Sequence, residues 1–339
     1  MDELGTGLYE TLITEGLRAR LEALGDRMPS DQRTLRSAEA ANRVAWHLSR
    51  QIEAALNDVR DEDRVQIGLQ VARALLARLG ELVATDPADT PTDPAQVLHA
   101  ILQRRPDGTP HQIEQPLIPL LDTTLLTNAP GEPGLWSQLR SEIESADAID
   151  VVMAFIRRSG IAPLLEHLRR HTEQRKALRV LTTTYTGSTE GRALDQLAEL
   201  GADVRISYDL GSTRLHAKAW VFHRRSGFST AYVGSSNLTH QAQVTGLEWN
   251  VRASAARNPD IVDKFKAVFD SYWEAGDFVD YDAAQFDEEQ ARTGRTDSGP
   301  LVILSPIELR PAPFQERLLE QIDVARTKGH HRNLLVAAT

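Results

Sequence analysis

Cysteine is absent from the 339 residues, which excludes disulfides, thiolate metal sites and a catalytic thiol. That absence fits a reducing compartment, and a cytoplasmic location is the expectation. No apolar run approaches the ~18 residues that a membrane helix needs, so no membrane partner is expected. Met1 to Gly16 opens on acidic Asp2 and Glu3 and carries no apolar stretch behind positive charge, which argues against a signal peptide. Positive charge is also in deficit: Lys+Arg 38 against Asp+Glu 48 gives a net −10. Such a balance excludes a chain that coats nucleic acid over its whole surface and leaves only a local basic face. One local excess lies at Arg157 to Arg179, with seven Lys or Arg against two Glu; on charge alone it reads as a solvated helix face.

What is present is globular, with 41% hydrophobic and 25% charged residues. Residues 1–86 read as a helical N-terminal domain. Val44, Leu48, Ile52, Ala55, Leu56 and Val59 recur at helical spacing, as do Val65, Leu69, Ala72, Leu75, Leu76, Leu79 and Val83. A small bundle is expected there. Gly5-Thr6-Gly7 follows no strand and lacks a third glycine in place, so it is no dinucleotide loop. Nine of the sixteen prolines fall within residues 87–133, which form a joint. From Ile149 short apolar runs alternate with helical stretches: Ile149 to Phe155, Ile161 to His171, Leu178 to Thr182, Arg192 to Leu200, and Val204 to Tyr208. This is the pattern of an α/β sheet with helical crossovers. Leu215 to Phe222 and Thr230 to Gly234 flank a Gly- and Ser-bearing turn and read as a hairpin, so the sheet is mixed. Leu247 to Ala253 adds a strand, Asp260 to Trp273 a helix, and residues 281–300 an acidic linker.

Side chains alternate along a strand, so His216 and Lys218 share one face. An imidazole beside an ammonium is favoured in its neutral form, which is a usable nucleophile or base next to a fixed cation. Gly234-Ser235-Ser236-Asn237 follows the hairpin and offers close backbone approach with hydroxyl and amide groups for anionic oxygens. Glu248, on a neighbouring strand, is positioned by sequence to accept the second imidazole N–H of a histidine. Thr182 to Gly187, with Tyr185, ends a strand where α/β ligands bind, and equally fits plain strand propensity. Arg214, Ser236 and Gly234 complete the substrate-binding candidates with Tyr185. His167 and His171 are four apart, but Leu168 replaces the glutamate of a zinc-protease helix, so no metal site is expected.

His216-Ala217-Lys218 and Gly234-Ser235-Ser236-Asn237 together resemble the phospholipase D superfamily, whose signature is H-x-K-x4-D-x6-G-S-x-N. The resemblance covers residues 117–280. It implies an α/β fold with a mixed sheet flanked by helices, His216 as nucleophile through a phosphohistidine, Lys218 and Asn237 on the phosphate oxygens, Ser235 in support, and Glu248 orienting the histidine. Two departures stand out: His223 occupies the aspartate position, reading as a turn residue, and His216 to Asn237 spans 21 residues where the compact signature has 17. No cofactor is implied for phosphodiester cleavage.

Residues 301–339, with Pro313-Phe314-Gln315 ahead of a helix-like run and Asn333-Leu334-Leu335-Val336, resemble the opening of a superfamily 2 helicase core. This resemblance implies Gln315 and Phe314 as incomplete adenine contacts, and ATP with magnesium only for a core further along. No Gly-Lys-Ser or Gly-Lys-Thr occurs, so no ATPase activity is expected. Jointly the two resemblances imply a DNA nuclease of a restriction- or defence-type helicase. Sites of the first family pair two H-x-K elements, only one is present, and a homodimer is therefore implied. A catalytically silent DNA-binding or dimerising module is the alternative.

Overall fold

The computed structural model describes residues 4–25, 28–127, 134–184, 188–209, 215–238 and 248–296. The chain divides into two units, Met1–Gln103 and Arg104–Thr339. The first holds α1 (Glu15–Leu24), α2 (Ser37–Asn57) and α3 (Asp61–Leu82). Thr14 caps α1 by accepting the Leu17 N–H at 3.2 Å, and Asp61, Glu62 and Asp63 favour the amino end of α3. Arg64 donates to the carbonyls of Leu56 and Val59 at 3.1 and 3.0 Å, fastening the start of α3 to the end of α2. The two expected stripes thus lie on helices. The expected bundle core is not formed, because no residue of α1, α2 or α3 is buried. Two helices meeting along one edge leave most of each stripe facing water.

Within the joint, Pro87–Asp89 makes a 3-10 turn and Arg104 bridges Pro110. The second unit is built on eight strands: β1 (Thr124–Leu126), β2 (Ala148–Met153), β3 (Ala177–Thr183), β4 (Asp203–Ser207), β5 (Lys218–His223), β6 (Thr230–Gly234), β7 (Asn250–Ser254) and β8 (Val279–Asp280). They form one sheet in the order β1-β7-β6-β5-β2-β3-β4-β8. β2, β3 and β4 run parallel, and the remaining neighbours pair antiparallel. The mixed α/β sheet flanked by helices is therefore as expected.

One face carries Ile149, Val151, Met153, Trp220, Phe222 and Tyr232, packed with Leu139 and Ile143 of α4 (Leu135–Ser145) and with Leu168 and Leu194 of the crossover helices α6 (Leu165–Glu173) and α7 (Gly191–Glu199). A short α5 (Arg158–Ile161) precedes α6. The other face is crossed by α8 (Pro259–Glu274), whose Val262 meets Val221, Ala231 and Ala253 and whose Phe269 meets Val152 and Leu181.

Two charged networks lock these layers. Glu142 of α4, fully buried, accepts from Arg252 Nε at 2.8 Å, Arg224 Nη2 at 2.5 Å, Thr230 Oγ1 at 2.8 Å and the Tyr232 hydroxyl at 2.9 Å. Burial alone would raise its pKa, but the two guanidiniums overrule it and hold the carboxyl below its ordinary value. On the α8 face, Asp150 accepts Arg179 Nε at 2.7 Å and faces His223 Nε2 at 2.6 Å, while the Arg179 guanidinium lies 4.7 Å from the Phe269 ring.

Two expectations are corrected here. His223 is the last residue of β5 rather than a turn residue, and it is taken up by Asp150. Much of the expected linker is α9 (Ala283–Thr296), which buries Phe286 against Gly191 of α7. A single aromatic in a polar run gives little periodic signal, and the groove that receives it exists only in the folded unit.

Candidate active site

Because β5 is antiparallel to β2, with Met153 opposite Lys218, the start of β5 lies at the carboxyl ends of β2, β3 and β4. The end of β6 and the start of β7 fall on the same edge, where Gly234 pairs with Asn250. Ligands of open α/β sheets bind at this edge. His216, Lys218, Gly234, Ser235, Ser236, Asn237 and Glu248 are thereby brought together by three strand ends, those of β5, β6 and β7. Tyr185, Arg214, Phe314 and Gln315 lie outside the described residues.

His216 is exposed and Lys218 buried. The Lys218 ammonium donates to the His216 carbonyl at 2.9 Å and lies 3.1 Å from Nδ1 and 3.3 Å from Nε2 of the imidazole. A ring nitrogen can accept from an ammonium only when the imidazole is neutral. Desolvation and then the Lys218 charge push the His216 pKa below its ordinary value, which keeps the nucleophilic form populated. Burial likewise lowers Lys218, with Glu248 opposing. The Phe155 ring stands edge-on to His216, centroids 6.0 Å apart.

Gly234 is required by close approach. A Cβ here would lie 2.7 Å from Asn250 Cα and closer still to Trp249 O and Asn250 Oδ1. This contact continues the ladder: Ser235 N–H donates to Trp249 O at 3.0 Å, and Trp249 N–H to Ser235 Oγ at 3.1 Å. Ser236 is buried and its Oγ accepts from Asn250 Nδ2 at 2.7 Å. Beyond Asn237 the segment crosses the start of β5, where Leu238 bridges Ile156 and accepts the Arg157 N–H at 3.0 Å. The G-S-S-N segment is thus clamped on both sides of His216.

Glu248 departs from its expected role. Its carboxylate accepts the Ser235 hydroxyl, and among the described residues His216 has Lys218, not Glu248, at its ring nitrogens. Glu248 lies two residues ahead of β7, which is two strands from β5, so Ser235, just past the end of the intervening β6, intercepts it.

The histidine pair on α6 splits. His167 Nδ1 meets Glu144 Oε1 at 2.7 Å, whereas His171 is buried with Nε2 3.2 Å from Ala177 O. His171 thus leaves the solvated face expected for it, and burial lowers its pKa. Among the described residues no group of three His, Asp or Glu is placed to hold a metal, and no helix is long and apolar enough to cross a membrane. Phe155 and Asn250 went unassigned in the sequence because the proximity of one to His216 and of the other to Ser236 arises from strand pairing alone.

With this geometry in view, residues 139–273 match the family model described as "Cardiolipin synthase, PLD-like domain". No curated protein matches the chain. Among solved structures, Nuc, a phospholipase D family member from Salmonella typhimurium, is 17% identical with a TM-score of 0.38, covering 47% of this chain and 99% of its own. NucT from Helicobacter pylori is 14% identical with a TM-score of 0.36, again covering 47% and 99%. Residues 139–273, which contain His216, Lys218 and the Gly234 to Asn237 segment, are thus similar to a PLD-like domain.

Proposed function

We propose that this domain is a metal-independent phosphodiesterase acting on DNA through a phosphohistidine. The observation that carries the proposal is the neutral, exposed His216 imidazole held against the Lys218 ammonium at the edge where Ser235 and Asn237 converge. His216 attacks phosphorus in line, the P–O bond to the leaving oxygen breaks, and that oxygen takes a proton. Water, giving a proton to the group that protonated the leaving oxygen, then attacks phosphorus, cleaves the P–N bond and restores the imidazole. Lys218 and Asn237 stabilise the charge on the non-bridging oxygens, a clamp whose single-donor loss costs ~10² to 10³ in rate. Glu248 acts through Ser235, which it orients. The general acid on the far side is His216 of a second copy, in a twofold homodimer.

The Phe314–Gln315 block supports a restriction- or defence-type helicase as the setting, with the motor supplied by a downstream part of the same polypeptide. The rival, a catalytically silent DNA-binding module, fits the same fold. Purified protein incubated with plasmid and single-stranded DNA, in excess chelator, should nick or degrade them, and His216→Ala should not. Light scattering should give twice 37.6 kDa. Mixed wild-type and His216→Ala subunits should form heterodimers of very low activity. Cleavage abolished by chelator and restored by magnesium would refute the histidine mechanism, and a monodisperse active monomer would refute the shared site.

A further inference from the structure

Trp249 is 64% exposed although it sits beside the candidate active site. Its ring joins none of the three hydrophobic clusters. Yet its backbone is pinned to Ser235 in both directions, at 3.0 and 3.1 Å, and the next residue holds Ser236. The indole is therefore displayed on a rigid rung. Alternation puts it on the face of Val251, whose register partner is Val233, and both valines are also exposed. The reason is the path of α8: it covers Ala231 and Ala253 and then turns toward Val152 and Leu181, leaving this corner bare.

On the opposite flank of His216, Phe155 presents a second ring, and Arg157 and Arg158 follow it. Among the described residues neither arginine has a carboxylate within ion-pair distance; Arg157 Nε donates to the Ser188 carbonyl at 3.3 Å. The Arg158 backbone N–H donates to Glu190 Oε2 at 2.9 Å, and the two guanidiniums still bring more positive than negative charge to this edge of a chain of net charge −10, a place for an anion. Along the sheet edge the backbone order is Trp249, Ser235, Lys218 with His216, Phe155, then the arginines; alternation puts the indole on the α8 face and His216, Lys218 and Phe155 on the other, so a strand laid across this edge passes from one face to the other. Three strand spacings of ~4.8 Å make this track about 14 Å long, which is roughly four stacked nucleotides at 3.4 Å each.

We propose that the site takes an unpaired DNA strand, with Trp249 as the stacking platform for a base on one side of the scissile phosphate and Arg157 and Arg158 on backbone phosphates on the other. The inference rests on the phosphodiesterase proposal and adds its substrate class. A base offers its face to an exposed indole without cost only when it is not already stacked within a duplex. Arg157 and Arg158 supply sequence-independent attraction, while the aromatic platform distinguishes single strand from double.

The test is fluorescence anisotropy of a labelled 12-nucleotide oligodeoxythymidylate on cleavage-silent His216→Ala protein. It is run beside a 12-base-pair duplex and an oligonucleotide with abasic central positions. Stacking on one aromatic corresponds to about a tenfold change in Kd. Trp249→Ala should weaken single-strand binding about tenfold, Trp249→Phe should restore most of it, and abasic substitution should cost nothing further once Trp249 is gone. Equal affinity of Trp249→Ala and its parent, with matched melting curves, overturns the proposal, as does a duplex bound as tightly as the single strand. Hydrolysis of bis(4-nitrophenyl) phosphate by the protein with His216 intact separates the two claims. Loss of that turnover in His216→Ala upholds the hydrolase whatever the anisotropy gives. No turnover sinks the hydrolase, while anisotropy still decides the stacking.

Discussion

Glu142→Gln removes one negative charge from a site that is 0% exposed and leaves the Arg224 and Arg252 guanidiniums facing a neutral amide. Arg252, itself 0% exposed, keeps the carbonyls of Pro119 and Asp122 at 3.0 and 2.7 Å but loses its counter-charge. Removing one member of a buried ion pair costs about 3 to 5 kcal/mol, because the remaining charge stays desolvated. At about 3 °C per kcal/mol for a unit of this size, the melting temperature should fall by roughly 12 °C. Differential scanning calorimetry provides the assay. The control is Glu166→Gln, which breaks the exposed pair with Arg170 and should cost under about 0.5 kcal/mol. The sign with pH is fixed. Glu142 has its folded pKa below the ordinary 4.5, so its contribution is fully present above 4.5 and is lost as pH falls through the folded value. The gap between wild type and Glu142→Gln should narrow on acidification below 4.5. A loss below about 1 kcal/mol at neutral pH, or a gap independent of pH, would refute the account of this network.

Two further outcomes follow from the site. Gly234→Ala drives a methyl into the backbone of Trp249 and Asn250, atoms that cannot swing aside, so it should cost on the order of 1 to 3 kcal/mol and depress DNA cleavage more than Gly276→Ala, which meets open space; equal effects would contradict the clamp. Since neutral His216 is the attacking form and its pKa lies below the ordinary 6.5, the acid limb of kcat/KM should fall below pH 6.5; Lys218→Met should move it upward in part, because burial is the larger cause. An acid limb above 6.5 in the wild type would count against the geometry of this pair.

The sequence by itself determined the alternation of strands and helices from Ile149 onward, because each run carries its own apolar period. Adjacent residues also suffice to put His216 and Lys218 on one face, since strand alternation is a local property. The hairpin was legible for the same reason, with Gly227 at φ 88° satisfying its turn. Tertiary structure alone decided the partners of the charged residues. Glu142 lies 110 positions from Arg252, and Asp150 lies 73 from His223, so their pairing follows from strand order and helix packing. The same long-range register gives Glu248 to Ser235 rather than to His216. It also sets Phe155 against the imidazole and leaves Trp249 bare where α8 turns away, because burial depends on what packs above a strand and not on the residues within it.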